Sequence, residues 1–302
     1  MLPAKSLKFL EKLMNCSGPS GFEEETAGAF REYLKEFSSK VFTDVMGNTA
    51  GVVNPGGAYR VMLAGHYDEI GFQVVYISDE GLIYFRPNGG IDKLTVPGCE
   101  VDILTAKGRV PGVIGKKPIH LLTPKEREIP PELNDLWIDI GAENKKEAAK
   151  LISIGDPVTI RSNYQRLGKN RIKSKGMDDK VGAFVVAETL RCLSARKLKV
   201  EVFGVGTVQE ELGLRGVATS CFGIIRKSVS PLTSVLRPIF RTLPKRFWAR
   251  SSWEAARNST AMPTTIRYSA ANFATSRRKI RSNIRKRHRT ALPAGPIPRR
   301  CS

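Results

Sequence analysis

The sequence contains no apolar run approaching the roughly 18–20 residues that a membrane-crossing helix needs, so no helical membrane span is expected. Its opening, MLPAKSLKFLEKLMNC, has neither an apolar h-region nor a small-residue cleavage site, which argues against a secretory signal. Cysteine is sparse: Cys16, Cys99, Cys192, Cys221 and Cys301 are scattered, with no CxxC pair. That spacing speaks against a zinc knuckle or a disulfide framework. It predicts free thiols in a reducing compartment, and hence a cytoplasmic protein. Acidic residues are nearly missing from the last quarter. Residues 226–302 hold 19 Lys/Arg against the single acid Glu254, whereas the first 225 residues are balanced at 30 bases and 28 acids. Of the formal net charge of +20, +18 therefore belongs to that one segment. Such a charge ordinarily points to nucleic acid or another acidic partner, and RRKIRSNIRKRHR, residues 277–289, has the composition of a binding arm. No phosphate-cradling loop, interleaved aromatic platform or nucleic-acid fold motif accompanies it, so nucleic acid is not the expected partner.

What the chain does contain is a well-patterned first part. With 302 residues, 41% of them hydrophobic, it can bury one large core or two of ordinary size. SLKFLEKLMNC has helical spacing. SGPSGFEEETAGAFREYLKEF predicts a loop and then an amphipathic helix, with Ser20 as its N-cap and Glu23 closing a capping box. KVFTDVMGNTAGVV and YRVMLAGHYDEIGFQVVYI read as strands. The second is nearly continuous in apolar residues and predicts one buried central strand. From about Gly71 to Arg166, short strands are broken by turns (EGLIYFRPNGG, KLTVPGCEVDILTAKGRVPGVIG, DLWIDIGA, GDPVTI), with one helix, NKKEAAKLISI, among them. DKVGAFVVAETLRCLSA then predicts a strong helix, and KVEVFGVGTVQEELGLRGVATS a strand entering a loop. The expected fold is α/β. A mixed sheet flanked by helices is formed by residues 1–70 and 167–225, and a small β-rich domain over 71–166 interrupts it. Beyond about Gly223 no period of 2 or 3.6 persists, and residues 226–302 are expected to form an irregular basic tail.

Three islands concentrate the chemistry: AGHYDEIGF, GMDDKVGAF and VQEELGLRG. Each sets His, Asp or Glu at the end of an apolar strand or ahead of a helix, where α/β folds gather their sites. One His with several carboxylates is a ligand set suited to Zn²⁺, Co²⁺ or Mn²⁺. His66 and Asp68, two residues apart, share a strand face, so Asp68 can take the imidazole N–H and orient the ring. Glu210 and Glu211 are adjacent and their side chains diverge, so one can bind metal while the other faces a water as general base. Taken singly, an HxD is usually a strand-end pair, a DD before a helix is usually an N-cap, and an EE is usually solvated surface. Three in this order, each beside a buried strand, favour a metal site.

Together LAGHYDEIGF, GMDDKVGA and VQEELGLRGVATS resemble the tetrahedral aminopeptidase family, co-catalytic metallo-aminopeptidases that include the glutamyl aminopeptidases. The resemblance runs from SGPSGFEEE to about Gly223. It implies a metallo-exopeptidase fold whose inserted domain serves oligomerisation, peptide substrates, and two divalent ions per subunit, zinc or cobalt. It also implies a homo-oligomer, dodecameric in the family, where the C-terminal part is intact. By this resemblance His66, Asp178 and Glu211 are metal ligands, with Asp178 bridging both ions and preceding a cis peptide to Asp179. Asp68 orients His66, and Glu210 is the general base. Some relatives carry an endoglucanase label, so β-1,4-glucan hydrolysis stands as an alternative. That chemistry sets two carboxylates several Å apart across a sugar, an arrangement that adjacent Glu210 and Glu211 beside His66 do not suggest.

The resemblance implies two further ligands: an Asp about twenty residues after the Glu pair and a His near the C-terminus. Thr233 stands about where the Asp is expected, and His288 sits in no matching context. A shifted reading frame accounts for both. FWARSSWEAARNS can be encoded so that the frame starting at the third codon base reads Leu-Gly-Glu-Ile-Lys-Leu-Gly-Gly-Gly-Pro-Gln-Phe, a block like the family's. LTSVLRPIFR treated likewise can give Asp-Val-Cys-Phe-Ala-Thr-Asp-Phe-Pro, and its first Asp is the expected ligand. A GC-rich alternative frame also explains the excess of Arg, Pro and Ser. The chain as written is therefore expected to lack one protein ligand at each metal and to have little or no activity.

Overall fold

The computed structural model describes residues 2–169, 171–224 and 229–231. Thr233, His288 and the basic stretch 277–289 lie outside the described residues.

Two helices lead the chain, α1 (Ala4–Asn15) and α2 (Glu24–Lys35). Their buried residues, Phe9, Leu10, Leu13 and Met14 on the first and Ala27, Phe30, Tyr33 and Leu34 on the second, recur at helical spacing and give each helix one apolar stripe. Strands β1 (Lys40–Thr43), β2 (Thr49–Val53) and β3 (Arg60–His66) follow. The chain then leaves this sheet for a closed six-stranded barrel. Its strands are β4 (Gly71–Ile77), β5 (Ile83–Asn88), β6 (Glu100–Thr105), β7 (Gly108–Gly115), β8 (Trp137–Asp139) and β9 (Pro157–Ile160). They close in the order β4-β5-β8-β7-β6-β9, with helices α3 (Pro124–Glu128) and α4 (Lys145–Leu151) in the connections. Alternate residues turn inward, and Phe72, Val74, Phe85, Ile103, Ile114, Ile138 and Val158 fill the barrel.

A small hairpin, β10 (Gln165–Leu167) and β11 (Arg171–Lys173), leads back to helix α5 (Met177–Ser194), strand β12 (Glu201–Thr207), helix α6 (Arg215–Ile224) and β13 (Val229–Pro231). The sheet order is β1-β2-β12-β3-β13. β12 runs antiparallel to β2 and parallel to β3, so the sheet is mixed. All seven residues of β12 are buried, Glu201 and Thr207 included, as befits the middle strand of a sheet covered on both faces. Gly51 and Gly204 lie beneath Leu190 of α5, where a Cβ at either would come within 3.0 Å of that side chain. Their neighbours Ala50, Val52, Phe203 and Val205 point the other way and pack with Met62, Ala64 and Ile224. Helices thus cover both faces: α1, α2 and α5 on one, α6 on the other.

Two local expectations are corrected. YRVMLAGHYDEIGFQVVYI is two strands in two different sheets, because Tyr67–Ile70 breaks the ladder after His66. Apolar continuity could not reveal this, since the break is made by Asp68 and Glu69 turning inward to bond elsewhere. Ser20 is also not an N-cap: α2 begins after Glu23, which makes no capping bond. The Ser20 hydroxyl donates instead to Asp68 Oδ2 at 2.6 Å.

Candidate metal centre

β3 and β12 lie side by side in parallel, with His66 in register with Thr207. Both strands therefore end at the same place, and the residues that follow them share one pocket rim. The fit of the third element, α5, depends on Gly65. A Cβ there would stand 2.6 Å from the backbone of both Ala183 and Gly182, so the missing side chain lets α5 lie against β3. Gly65→Ala is expected to destabilise the fold by about 1–3 kcal/mol, because backbone on both sides leaves the methyl no room. A urea midpoint equal to that of the unsubstituted chain would disprove this packing argument.

α5 brings two aspartates with it. Asp178 and Asp179 depart from helical φ/ψ and are joined by a cis peptide bond. Asp179 is fully buried and its Oδ1 accepts from Gly182 N at 2.9 Å, which is the capping role that a carboxylate ahead of a helix ordinarily takes. Asp178 instead faces the strand ends, with Oδ1 3.4 Å from His66 Nε2. Glu210 Oε2 lies 3.6 Å from that same nitrogen. On the other side of the ring, His66 Nδ1 is 3.3 Å from Asp68 Oδ1 and 3.3 Å from the Asp68 carbonyl oxygen. Asp68, just past the strand end and fully buried, holds the imidazole so that Nε2 faces the carboxylates.

Ligand atoms of His66, Glu210 and Glu211 all lie within 4.8 Å of one another. The structure thus brings together His66, Asp68, Asp178, Glu210 and Glu211. Their electrostatics favour an added cation. Burial opposes a charge on His66, yet hydrogen bonds to Asp178 and Asp68 and the charges of Asp68 and Asp179 outweigh it and raise its pKa from 6.5 to about 10. Burial, with the charges of Asp68, Asp178 and Glu210 outweighing that of His66, pushes Glu211 from 4.5 up to about 7. The surrounding carboxylates thus favour a proton on the imidazole, and burial favours one on Glu211; one imidazole among several carboxylates is a donor set that fits a divalent ion of the zinc or cobalt type.

Several contributors carry no local signal in the sequence. Glu69, next to Asp68, is buried and accepts from Lys180 Nζ at 2.7 Å, from Thr159 Oγ1 at 2.9 Å and from Gly18 N at 3.1 Å. Lys180 is fully buried and also donates to the Cys16 carbonyl at 2.8 Å. Asn88, at the end of barrel strand β5, donates to the Ser20 carbonyl at 2.7 Å. These bonds tie the N-terminal loop, the barrel and the start of α5 to the segment that carries Asp68.

With this geometry in view, similarities to known proteins are informative. A family model described as M42 glutamyl aminopeptidase matches residues 47–229. The glutamyl aminopeptidase of Lactococcus lactis subsp. cremoris is 34% identical over 223 residues, covering 70% of this chain and 61% of that protein. A TET aminopeptidase from a marine-sediment Thaumarchaeota archaeon has a solved structure that superposes with a TM-score of 0.75 at 35% identity, covering 78% of this chain and 67% of that one. The TET1 peptidase of Pyrococcus horikoshii, described as assembling into a tetrahedron or a large octahedral shell, superposes with a TM-score of 0.69 at 31% identity, covering 76% and 68%. The chain spans 57–62% of the length of the curated relatives FrvX and SgcX of Escherichia coli and an Acetivibrio thermocellus protein.

Proposed function

The chain belongs to the M42 glutamyl aminopeptidase family, and from that premise we propose that the ends of β3 and β12 carry a centre for removing N-terminal residues from peptides. The observation that carries this reading is the convergence of His66, Glu210 and Glu211 within 4.8 Å, with Asp178 facing the same imidazole nitrogen. His66, Asp178 and Glu211 would hold two divalent ions, zinc or cobalt, with Asp178 shared between them. Such ions supply polarisation of the scissile carbonyl and a lowered pKa for the attacking water.

The chain's own residues divide the remaining work. Asp68 Oδ1 fixes the tautomer and tilt of His66, leaving Nε2 as the ligating atom. Glu210 Oε2, on the Nε2 side of the ring, is placed to accept a proton from the attacking water and return it to the leaving amine.

A homo-oligomer is the proposed assembly, supported by the shells described for the Pyrococcus horikoshii TET1 peptidase. No helix among the described residues is long and apolar enough to cross a membrane. Cytoplasmic location remains part of the reading, supported by the free thiols of Cys16, Cys99, Cys192 and Cys221. No feature among the described residues favours β-glucan hydrolysis or nucleic-acid binding.

The family-like part also supports a second proposal, that residues after about 223 are written out of frame and leave the chain without two ligands. The test of function therefore uses a form continued after residue 223 in the alternative frame. It should release amino acids from peptide p-nitroanilides, lose that activity to a chelator and regain it with Zn²⁺ or Co²⁺. Chelator-resistant release, or reducing sugar from β-glucan in place of amino acid, would overturn the peptidase reading.

A further inference from the structure

The loop that carries Glu210 and Glu211 is held by side chains from three distant segments. Beyond the end of β12, four consecutive backbone N–H groups point to side-chain oxygens. Val208 N donates to Asn48 Oδ1 at 3.0 Å, Gln209 N to Glu23 Oε1 at 3.0 Å, Glu210 N to Asp68 Oδ1 at 3.1 Å and Glu211 N to Asp68 Oδ2 at 3.2 Å. Gln209 sits at φ +51°, in the left-handed region that side-chain-bearing residues enter only when their surroundings hold them there. Glu23 and Asp68 accept on either side of that residue, and hydrogen bonds to carboxylates are stronger than neutral ones.

Asp68 has a second task at His66, whereas Glu23 makes no hydrogen bond to the candidate ligands themselves. It stands at the N-cap position of α2, where a glutamate can serve its own helix, yet it makes no cap bond. It is 5% exposed, and its Oε1 is also held by Gly21 N at 2.8 Å, which aims it at Gln209. Burial, with the charge of Asp68 added, pushes the Glu23 carboxyl up to about 7 against the hydrogen bonds from Gly21 and Gln209. A second buried carboxylate beside Asp68 is unfavourable in itself, so its presence needs a compensating use.

We propose that Glu23 is a positioning residue for the metal centre: by accepting from Gln209 N it holds the left-handed bend that turns Glu210 and Glu211 toward His66. The inference rests on the metal reading of His66, Glu210 and Glu211. It assigns to Glu23 an effect on metal affinity through geometry, separate from any effect of its charge.

Co²⁺ titration of the 302-residue chain, followed by visible d–d absorbance, separates the two. His66→Ala should abolish the signal. Glu23→Ala should weaken Co²⁺ binding by about 10- to 100-fold, the scale on which outer partners of metal ligands act, and should change the band shape. Glu23→Gln keeps the reach and the accepting oxygen, and should bind Co²⁺ much more like the unsubstituted chain than Glu23→Ala does. Glu23→Asp keeps the charge but draws the carboxylate back from Gln209, and should bind more weakly than Glu23→Gln. Where Glu23→Ala does not fold, this order of the Gln and Asp variants decides. Unsubstituted affinity in Glu23→Asp or Glu23→Ala, or a Glu23→Gln as weak as Glu23→Asp, would overturn the proposal while leaving the metal reading intact. An unsubstituted chain that binds Co²⁺ no better than His66→Ala would overturn the metal reading and this proposal with it.

Discussion

Continued in the alternative frame after residue 223, the chain is expected to hydrolyse peptide p-nitroanilides about 100- to 10,000-fold faster than the 302-residue form, since a well-held metal supplies several kcal/mol of transition-state stabilisation at about 1.4 kcal/mol per tenfold in rate. The reasoning starts from the described site. His66, Asp178, Glu210 and Glu211 converge there, but they offer one imidazole and three carboxylates for what the family resemblance assigns as two ions. On the proposed out-of-frame reading, each ion would lack one protein ligand, which would weaken binding and loosen the position of the water that Glu210 is proposed to deprotonate. The comparison is made at equal protein concentration and saturating Zn²⁺ or Co²⁺. Equal turnover by the two forms would refute the claim. So would a DNA sequence across codons 223–230 that leaves the frame unchanged.

The fold class was legible because its strongest signals are local. α5 carries a long apolar helix pattern, and β12 a mostly apolar run, and they form the helix and the strand that the sequence predicts. The positions of the candidate site residues were legible for a related reason. His66 closes β3, Glu210 and Glu211 follow β12, and Asp178 opens α5, so each stands at an element boundary that periodicity can locate. What the pattern could not carry was pairing between segments far apart in sequence. YRVMLAGHYDEIGFQVVYI has apolar runs on both sides of His66–Glu69, and those few polar residues do not by themselves show that the two runs join different sheets. The SGPSGFEEE stretch satisfies the local rule for a capping box, yet Ser20 bonds Asp68 and Glu23 bonds Gln209, 186 residues away. Both side chains are buried and turn to partners far away in sequence rather than to the first turn of α2, and only the folded chain shows that those partners are available.

The same holds for the buried charges behind the site, where Glu69→Gln is expected to cost about 3–5 kcal/mol, the usual loss when one member of a buried ion pair is removed. Glu69 is 1% exposed and Lys180 is fully buried, so neither charge can turn to water. Lys175 Nζ, also largely buried, is 3.4 Å from Glu69 Oε1. Two lysines therefore share one carboxylate, and neutralising it leaves both ammonium groups buried side by side. Lys180→Met should cost less, because Lys175 remains to face Glu69 and only one hydrogen-bonded cation is lost. Burial alone would raise the Glu69 carboxyl above its ordinary value near 4.5, but the charges of Lys180 and Lys175 outweigh it and hold the folded group below that value. The stabilisation is thus present above pH 4.5 and lost as pH falls through the lower folded pKa. In urea denaturation, Glu69→Gln should have the lower midpoint of the two variants at neutral pH, with its deficit shrinking only under acid conditions. A Glu69→Gln midpoint at or above that of Lys180→Met would show that this cluster does not depend on its single carboxylate.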